Sequence, residues 1–277
     1  MKQTEGDNNP KSLTPIVFID TEVDVDIQKV QDYGAVREDD VFIHTHSSRE
    51  FNAVISESNT LCGHNIIEHD LKYINLQKNY TFIDTLPLSP LLFPKKPYHK
   101  LVKDDKLQVD ELNNPVNDSK KAKDLFYDEV AAWKELSQRR KKIYQGLLLN
   151  TREFQGFFKW MGVTDSLSSD IITKLIREEY EGKICTNANV KAVAKRYPIE
   201  LAFSLAVIGS DDLHSLTPAW VLHNYPKVNN VMAFLCNTSC GECEYCKHRL
   251  DAHAGLKEFL VMKSFVFLTE SLCNKEQ

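Results

Sequence analysis

Pro15-Ile16-Val17-Phe18-Ile19-Asp20-Thr21-Glu22-Val23-Asp24 is the stretch that decides the fold of this chain. An unbroken run of β-branched and aromatic residues that ends in acids reads as a buried strand whose end meets solvent or an ion. Side chains two apart on a strand share a face, so Asp20 and Glu22 project side by side. Neighbouring carboxylates on one face repel each other unless a proton or cation lies between them. A hard, oxygen-ligated divalent ion is the simplest resolution.

Working outward, residues 40–46 read as another strand, and Ser47-Ser48-Arg49-Glu50 resembles a capping box that opens a helix. Thr60-Leu61-Cys62-Gly63 reads as a short strand leading into a helix over 68–74, with Ile67, Leu71 and Ile74 at helical spacing. Residues 81–86 read as a further strand, Asp32-Tyr33-Gly34 as a turn, and the Pro-rich segment 87–97 as an interruption of regular structure. Asp118 starts a strongly helical stretch that runs to about Leu148, and residues 151–225 are helical almost throughout. The predicted architecture is α/β: a mixed sheet with flanking helices at 12–148, a helical domain at 151–230, and a cysteine module with its tail at 231–277.

The chain has 277 residues, 42% of them hydrophobic, and a net charge of -5. That leaves room for a substantial core and gives no global signature of nucleic-acid binding. A nucleic-acid contact must rest on local patches, Lys120, Lys121 and Lys123 or Arg139-Arg140-Lys141-Lys142, which equally suit solvated helix faces. The first eleven residues are polar, and the longest apolar stretch, 201–208, is too short to span a bilayer, so a cytoplasmic location without a membrane partner is expected.

Four of the seven cysteines, Cys236, Cys240, Cys243 and Cys246, crowd into one short segment of a chain with no export signal. This favours metal-bound thiolates over disulfides. Zn²⁺ is the default for four thiolates, and the tight spacing makes an iron-sulfur cluster the alternative. His248 or His253 can substitute for a cysteine, while Cys62, Cys185 and Cys273 are expected to be free thiols. No Gly-x4-Gly-Lys-Ser/Thr phosphate loop occurs, so ATP hydrolysis by this chain is not expected.

Phe18-Ile19-Asp20-Thr21-Glu22, Leu61-Cys62-Gly63-His64-Asn65 with His69-Asp70-Leu71, Phe82-Ile83-Asp84-Thr85-Leu86 and Asn113-Asn114-Pro115-Val116-Asn117-Asp118 follow one another in an informative order. Together they resemble the motifs of DEDD (DnaQ-like) 3′-5′ exonucleases over about residues 14–135. The resemblance implies a ribonuclease H-like fold and two Mg²⁺ or Mn²⁺ ions held by Asp20, Glu22 and Asp118, with Asp70 completing the second site through water. It also implies that Thr21 approaches the terminal nucleotide and that His64 and Asn65 belong to the substrate site, although both equally suit a cap and turn; Lys120 and Lys121 are the accompanying basic contacts.

One departure matters. Members of that family place a catalytic His five residues, or a Tyr four residues, before the last Asp, where this chain has Asn113 and Asn114. An amide is no general base near neutral pH, which leaves His99, in Pro97-Tyr98-His99-Lys100, as the candidate base. The helical region, the cysteines and residues 251–259 resemble the amino-terminal part of bacterial RecQ-like helicases that carry an appended exonuclease, a likeness that fades after about Phe259. That implies single-stranded DNA 3′ ends as substrate, and a helicase partner or a helicase domain beyond this chain. The expected function is a metal-dependent 3′-5′ exonuclease in repair or defence; the alternative is an inactive nucleic-acid-binding module that delivers DNA ends to a helicase.

Overall fold

A computed structural model describes residues 15–24, 26–96, 98–99, 101, 114–210, 217–236 and 240–247. The apolar run that opened the sequence forms β1 (Ile16–Asp24) at the centre of a five-stranded mixed sheet. β1 pairs antiparallel with β2 (Lys29–Arg37), which pairs antiparallel with β3 (Phe42–Thr45). On its other side β1 runs parallel to β4 (Thr60–Gly63), and β4 runs parallel to β5 (Thr81–Asp84), giving the order β3-β2-β1-β4-β5. Helix α1 (Ser48–Ile55) makes the crossover from β3 to β4, its first turn capped by Ser47, whose side chain accepts from the Glu50 N–H.

Strand alternation assigns the two sheet faces. Ile16 and Phe18 join a core with Val116, Phe126 and Val130 of α3 (Pro115–Glu135), whereas Val17 and Ile19 pack with Phe51 and Ile55 of α1. Continuing the same alternation puts Asp20 and Glu22 on the α3 face and Thr21 on the opposite one. Beyond α3, helices α4 (Gln138–Leu148), α5 (Gln155–Trp160), α6 (Ser169–Glu179), α7 (Val190–Arg196), α8 (Pro198–Ile208), α9 (Ala219–Asn224) and α10 (Val228–Cys236) complete the described chain; α2 (Thr85–Leu92) precedes α3. The core cluster on the α3 face continues through Tyr144, Phe154, Phe157 and Phe203, so it crosses residue 150. No helix among the described residues is long and apolar enough to cross a membrane.

Three local expectations are corrected. Asp32-Tyr33-Gly34 lies within β2 instead of forming a turn, because Gly34 is the position where the strand meets another backbone: a Cβ there would lie 2.3 Å from the carbonyl carbon of Pro115. In the segment after β4, only Asp70–Lys72 is helical, as a 3₁₀ turn. Asn65 adopts a φ of 65°, and the N–H groups of Asn65 and Ile67 donate to the Asp84 carboxylate, so outside partners replace a helical ladder there. The Pro-rich segment, finally, begins as helix α2. Pro87 stands in its first turn, where no N–H is needed, and burial of all eight residues outweighs the Pro90 penalty, about 3 kcal/mol.

Glu129 of α3 is fully buried, and neither carboxylate oxygen has a hydrogen-bond partner among the described residues. Burial pushes its carboxyl well above the usual range, with Asp84 adding to the effect. The folded state therefore holds a proton that the unfolded chain releases above about pH 4.3, and stability falls as pH rises from there towards the raised folded pKa. Glu129→Gln is expected to flatten that decline, so that denaturant titrations show a variant more stable than the wild type at pH 8 but not at pH 4.

Candidate metal centres

Two groups of side chains come together as metal ligands do. In the first, Asp20, Glu22 and Asp118 each offer a carboxylate oxygen, and these oxygens lie within 4.8 Å of one another. β1 supplies the first two from one face, and the first turn of α3 supplies the third. Gly34 makes this meeting possible. It pairs directly with Asp20 across β1 and β2, and its missing side chain lets the Pro115–Val116 backbone lie against the sheet. Ser119 Oγ donates to the Pro115 and Gly34 carbonyls, at 2.7 and 3.3 Å, and Asn114 caps α3 by accepting from the Val116 N–H. Gly34→Val is expected to lift the first turn of α3 off the sheet and weaken Mn²⁺ binding at least about 10-fold, as judged by calorimetric titration.

Asp70 stands apart from that group. It is buried, and its Oδ1 accepts from the Thr21 N–H at 2.9 Å and from the Thr21 hydroxyl at 2.7 Å. Asp70 thus fixes both the backbone and the side chain of Thr21, the residue between the two acids. His69 Nδ1 lies 3.8 Å from Asp70 Oδ2, and that contact raises the histidine pKa.

The remaining expected site residues have structural partners. His64 Nδ1 pairs with Thr85 Oγ1 at 2.9 Å, His99 Nδ1 pairs with Ser89 Oγ at 2.8 Å, and burial pushes both imidazoles down to about 4. Neither belongs to the acidic group. Asn113 lies outside the described residues. Lys120 sits over the Phe42 ring at 4.7 Å, Lys121 follows it on α3, and Lys123 is tied down by Asp40 at 2.6 Å and by the Glu38 carbonyl at 2.8 Å. In the second basic run, Arg139 and Arg140 reach Glu178 and Glu179 of α6.

The second group is Cys185, Cys240, Cys243 and Cys246, whose sulfurs also lie within 4.8 Å of one another. This corrects the expected ligand set: Cys185, taken from sequence as a free thiol, stands where Cys236 was expected. The Cys236 sulfur instead lies 3.8 Å from the Lys183 carbonyl. Cys185 follows α6 and is held rigidly, its N–H donating to the Leu235 carbonyl at 2.7 Å and its carbonyl accepting from Arg177 at 2.7 Å. The backbone N–H of Cys246 holds the Cys243 thiol down to about 6 and the N–H of Cys243 lowers that of Cys240, so these two favour the thiolate. At Cys246 a backbone contact with Cys240 is outweighed by burial and the neighbouring thiols, which push its thiol up to about 11. Cys62 is buried away from this group, and His248, His253 and Cys273 lie outside the described residues. Each of the two groups can hold a metal ion.

No family model, curated protein or solved structure matches this chain. The chemistry therefore rests on the two groups themselves. The acidic one offers only hard oxygens at the rim of a sheet, and the cysteine one offers only soft sulfurs beside α10.

Proposed function

We propose that this chain is a metal-dependent 3′-5′ exonuclease that acts on single-stranded DNA ends through Asp20, Glu22 and Asp118. The observation that carries the proposal is the convergence of three carboxylates, from a central strand and a helix N-terminus, to within 4.8 Å. Unneutralised, such a group is self-repelling; with Mg²⁺ or Mn²⁺ it is satisfied. When bound, a pair of these ions supplies an activated water and stabilises the attacking and leaving oxygens of an in-line phosphoryl displacement. The protein's own residues hold that arrangement: Asp20 and Glu22 from β1, Asp118 from α3, and Asp70 by fixing Thr21. The order β3-β2-β1-β4-β5, with β2 and β3 antiparallel to their neighbours, supports a ribonuclease H-like identity for the sheet.

For the cysteine group the proposed occupant is one Zn²⁺. Tetrahedral coordination with bonds of about 2.3 Å spaces the sulfurs about 3.8 Å apart. Cys185 Sγ lies 3.6 Å from Cys240 Sγ and 3.9 Å from Cys243 Sγ, whereas thiolates around a multi-iron cluster stand farther apart. That centre fastens the segment after α10 to the end of α6, a structural role beside the proposed chemistry. A helicase acting upstream would supply the single-stranded ends.

Asn114 favours a second reading. Its side chain is spent on capping α3, so it serves no proton transfer, and a module that grips DNA ends without cutting them would need none. End-labelled single-stranded DNA incubated with the protein and Mn²⁺ decides between them. Stepwise loss from the 3′ end supports the exonuclease, and full-length DNA retained in a tight complex supports the binding module.

A further inference from the structure

We propose that Asp32 and His44 form a dyad in which His44 accepts the proton of the attacking water at the Asp20–Glu22–Asp118 centre. The assignment rests on the hydrolase reading above and names the proton acceptor that Asn114 cannot be.

Glu22 pairs directly with Asp32, and Asp20 pairs with Gly34, which pairs in turn with His44. Directly paired residues project to the same face, so Asp20, Glu22, Asp32 and His44 share the α3 side of the sheet. The Pro115–Val116 backbone covers Gly34 between Asp20 and His44, so the link from the acids to His44 runs through Asp32, whose backbone stands one strand spacing, about 4.8 Å, from that of Glu22. The same glycine seats the first turn of α3, which brings Asp118 to this spot and directs the helix N-terminus towards the Asp32 end of β2.

Side-chain contacts then select the imidazole. Asp32 is nearly buried, with 14% of its side chain exposed, and its Oδ2 bonds His44 Nε2. A carboxylate bonded to one ring nitrogen fixes the orientation and tautomer of the ring, leaving the other nitrogen, Nδ1, to take a proton. The His44 side chain is 43% exposed, open to a substrate. The other histidines near the acids are placed differently. His46 Nδ1 is engaged by the Gln31 carbonyl at 2.8 Å and lies 3.6 Å from Asp32; His69 Nδ1 faces the Asp70 carboxylate, which, with Glu22, favours its charged form over a proton-accepting one; His64 and His99 are buried against Thr85 and Ser89.

The step balances. The water oxygen bonds to phosphorus as its proton passes to His44 Nδ1, the P–O3′ bond breaks, the leaving oxygen takes a proton from solvent, and the imidazolium returns its own proton to water. Asp32 acts through His44 and is a positioning residue.

The test follows Mn²⁺-dependent cleavage of single-stranded DNA by the full chain. His44→Ala is expected to lower kcat about 10²- to 10⁴-fold with KM within about 3-fold, and added imidazole to restore part of the loss. Asp32→Asn is expected to lower kcat with KM unchanged, and neither variant should shift calorimetric Mn²⁺ binding. Wild-type rates in His44→Ala overturn the assignment while leaving the exonuclease standing, as does a loss that imidazole does not restore. His44→Gln, which keeps the bulk of the edge-strand side chain, repeats the test if the alanine variant melts early. A wild type that binds Mn²⁺ and DNA but cuts nothing overturns the exonuclease and the dyad together.

Discussion

Asp20→Ala is expected to abolish Mn²⁺-dependent DNA cleavage and to weaken Mn²⁺ binding by more than about 100-fold, a larger loss than removal of an outer-shell partner brings. Asp20 is one of three carboxylates within 4.8 Å, so its removal leaves Glu22 and Asp118 as two ligands on different elements. Asp20 lies at the half-buried end of β1, past the apolar run that anchors the strand, so the variant should melt within a few degrees of the wild type. That separates a lost ligand from a lost fold. Calorimetric Mn²⁺ titration together with the cleavage assay checks both halves, and undiminished cleavage would place the activity outside the acidic group.

Cys185→Ser is expected to cost the cysteine centre its ion and to lower the melting temperature, whereas Cys236→Ser should keep the ion bound. Structural zinc sites bind with apparent free energies of roughly 10–16 kcal/mol, so losing one of four thiolates removes far more than a typical side-chain contact. The contrast between the two serine variants is the informative part. From spacing alone, Cys236 belongs to the cluster and Cys185 does not. In the fold, Cys185 Sγ stands 3.6 Å from Cys240 Sγ, and the Cys236 sulfur faces the Lys183 carbonyl. Metal analysis of the purified variants decides between them, and full loss in Cys236→Ser with retention in Cys185→Ser would refute the assigned ligand set.

What was legible in the sequence follows from the range of the interactions involved. β1 could be read because an apolar run buried on both faces carries its signal residue by residue, and the period of two placed Asp20 beside Glu22. The first turn of α3 could be read because Asn114, Pro115 and Asp118 are local start signals. Gly34 misled because a glycine after Asp32 and Tyr33 looks like a turn, while its purpose, room for the Pro115 backbone where a Cβ would come within 2.3 Å, lies far away in sequence. Cys185 was missed for the same reason: it reaches its partners only once α6 and α10 have packed. Asp70 fell between these cases. Its nearness to the residue between Asp20 and Glu22 was anticipated, but its Oδ1 is taken by Thr21 and it is not one of the three acids that meet.

Packing also explains why the basic residues are poor guides here. Lys123 holds the β2–β3 connection, and Arg139 and Arg140 tie α4 to α6, so these three members of the basic runs serve the fold. The exposed Arg139–Glu178 pair contributes at most about 1 kcal/mol, whereas Lys123 and the Arg140–Glu179 pair are largely covered and orient the elements they join.

An anomalous difference map from crystals soaked in Mn²⁺ tests the central claim most directly. Peaks between the carboxylates of Asp20, Glu22 and Asp118 are the predicted result. A map with no density there at saturating Mn²⁺, or with manganese bound only elsewhere on the protein, would contradict it.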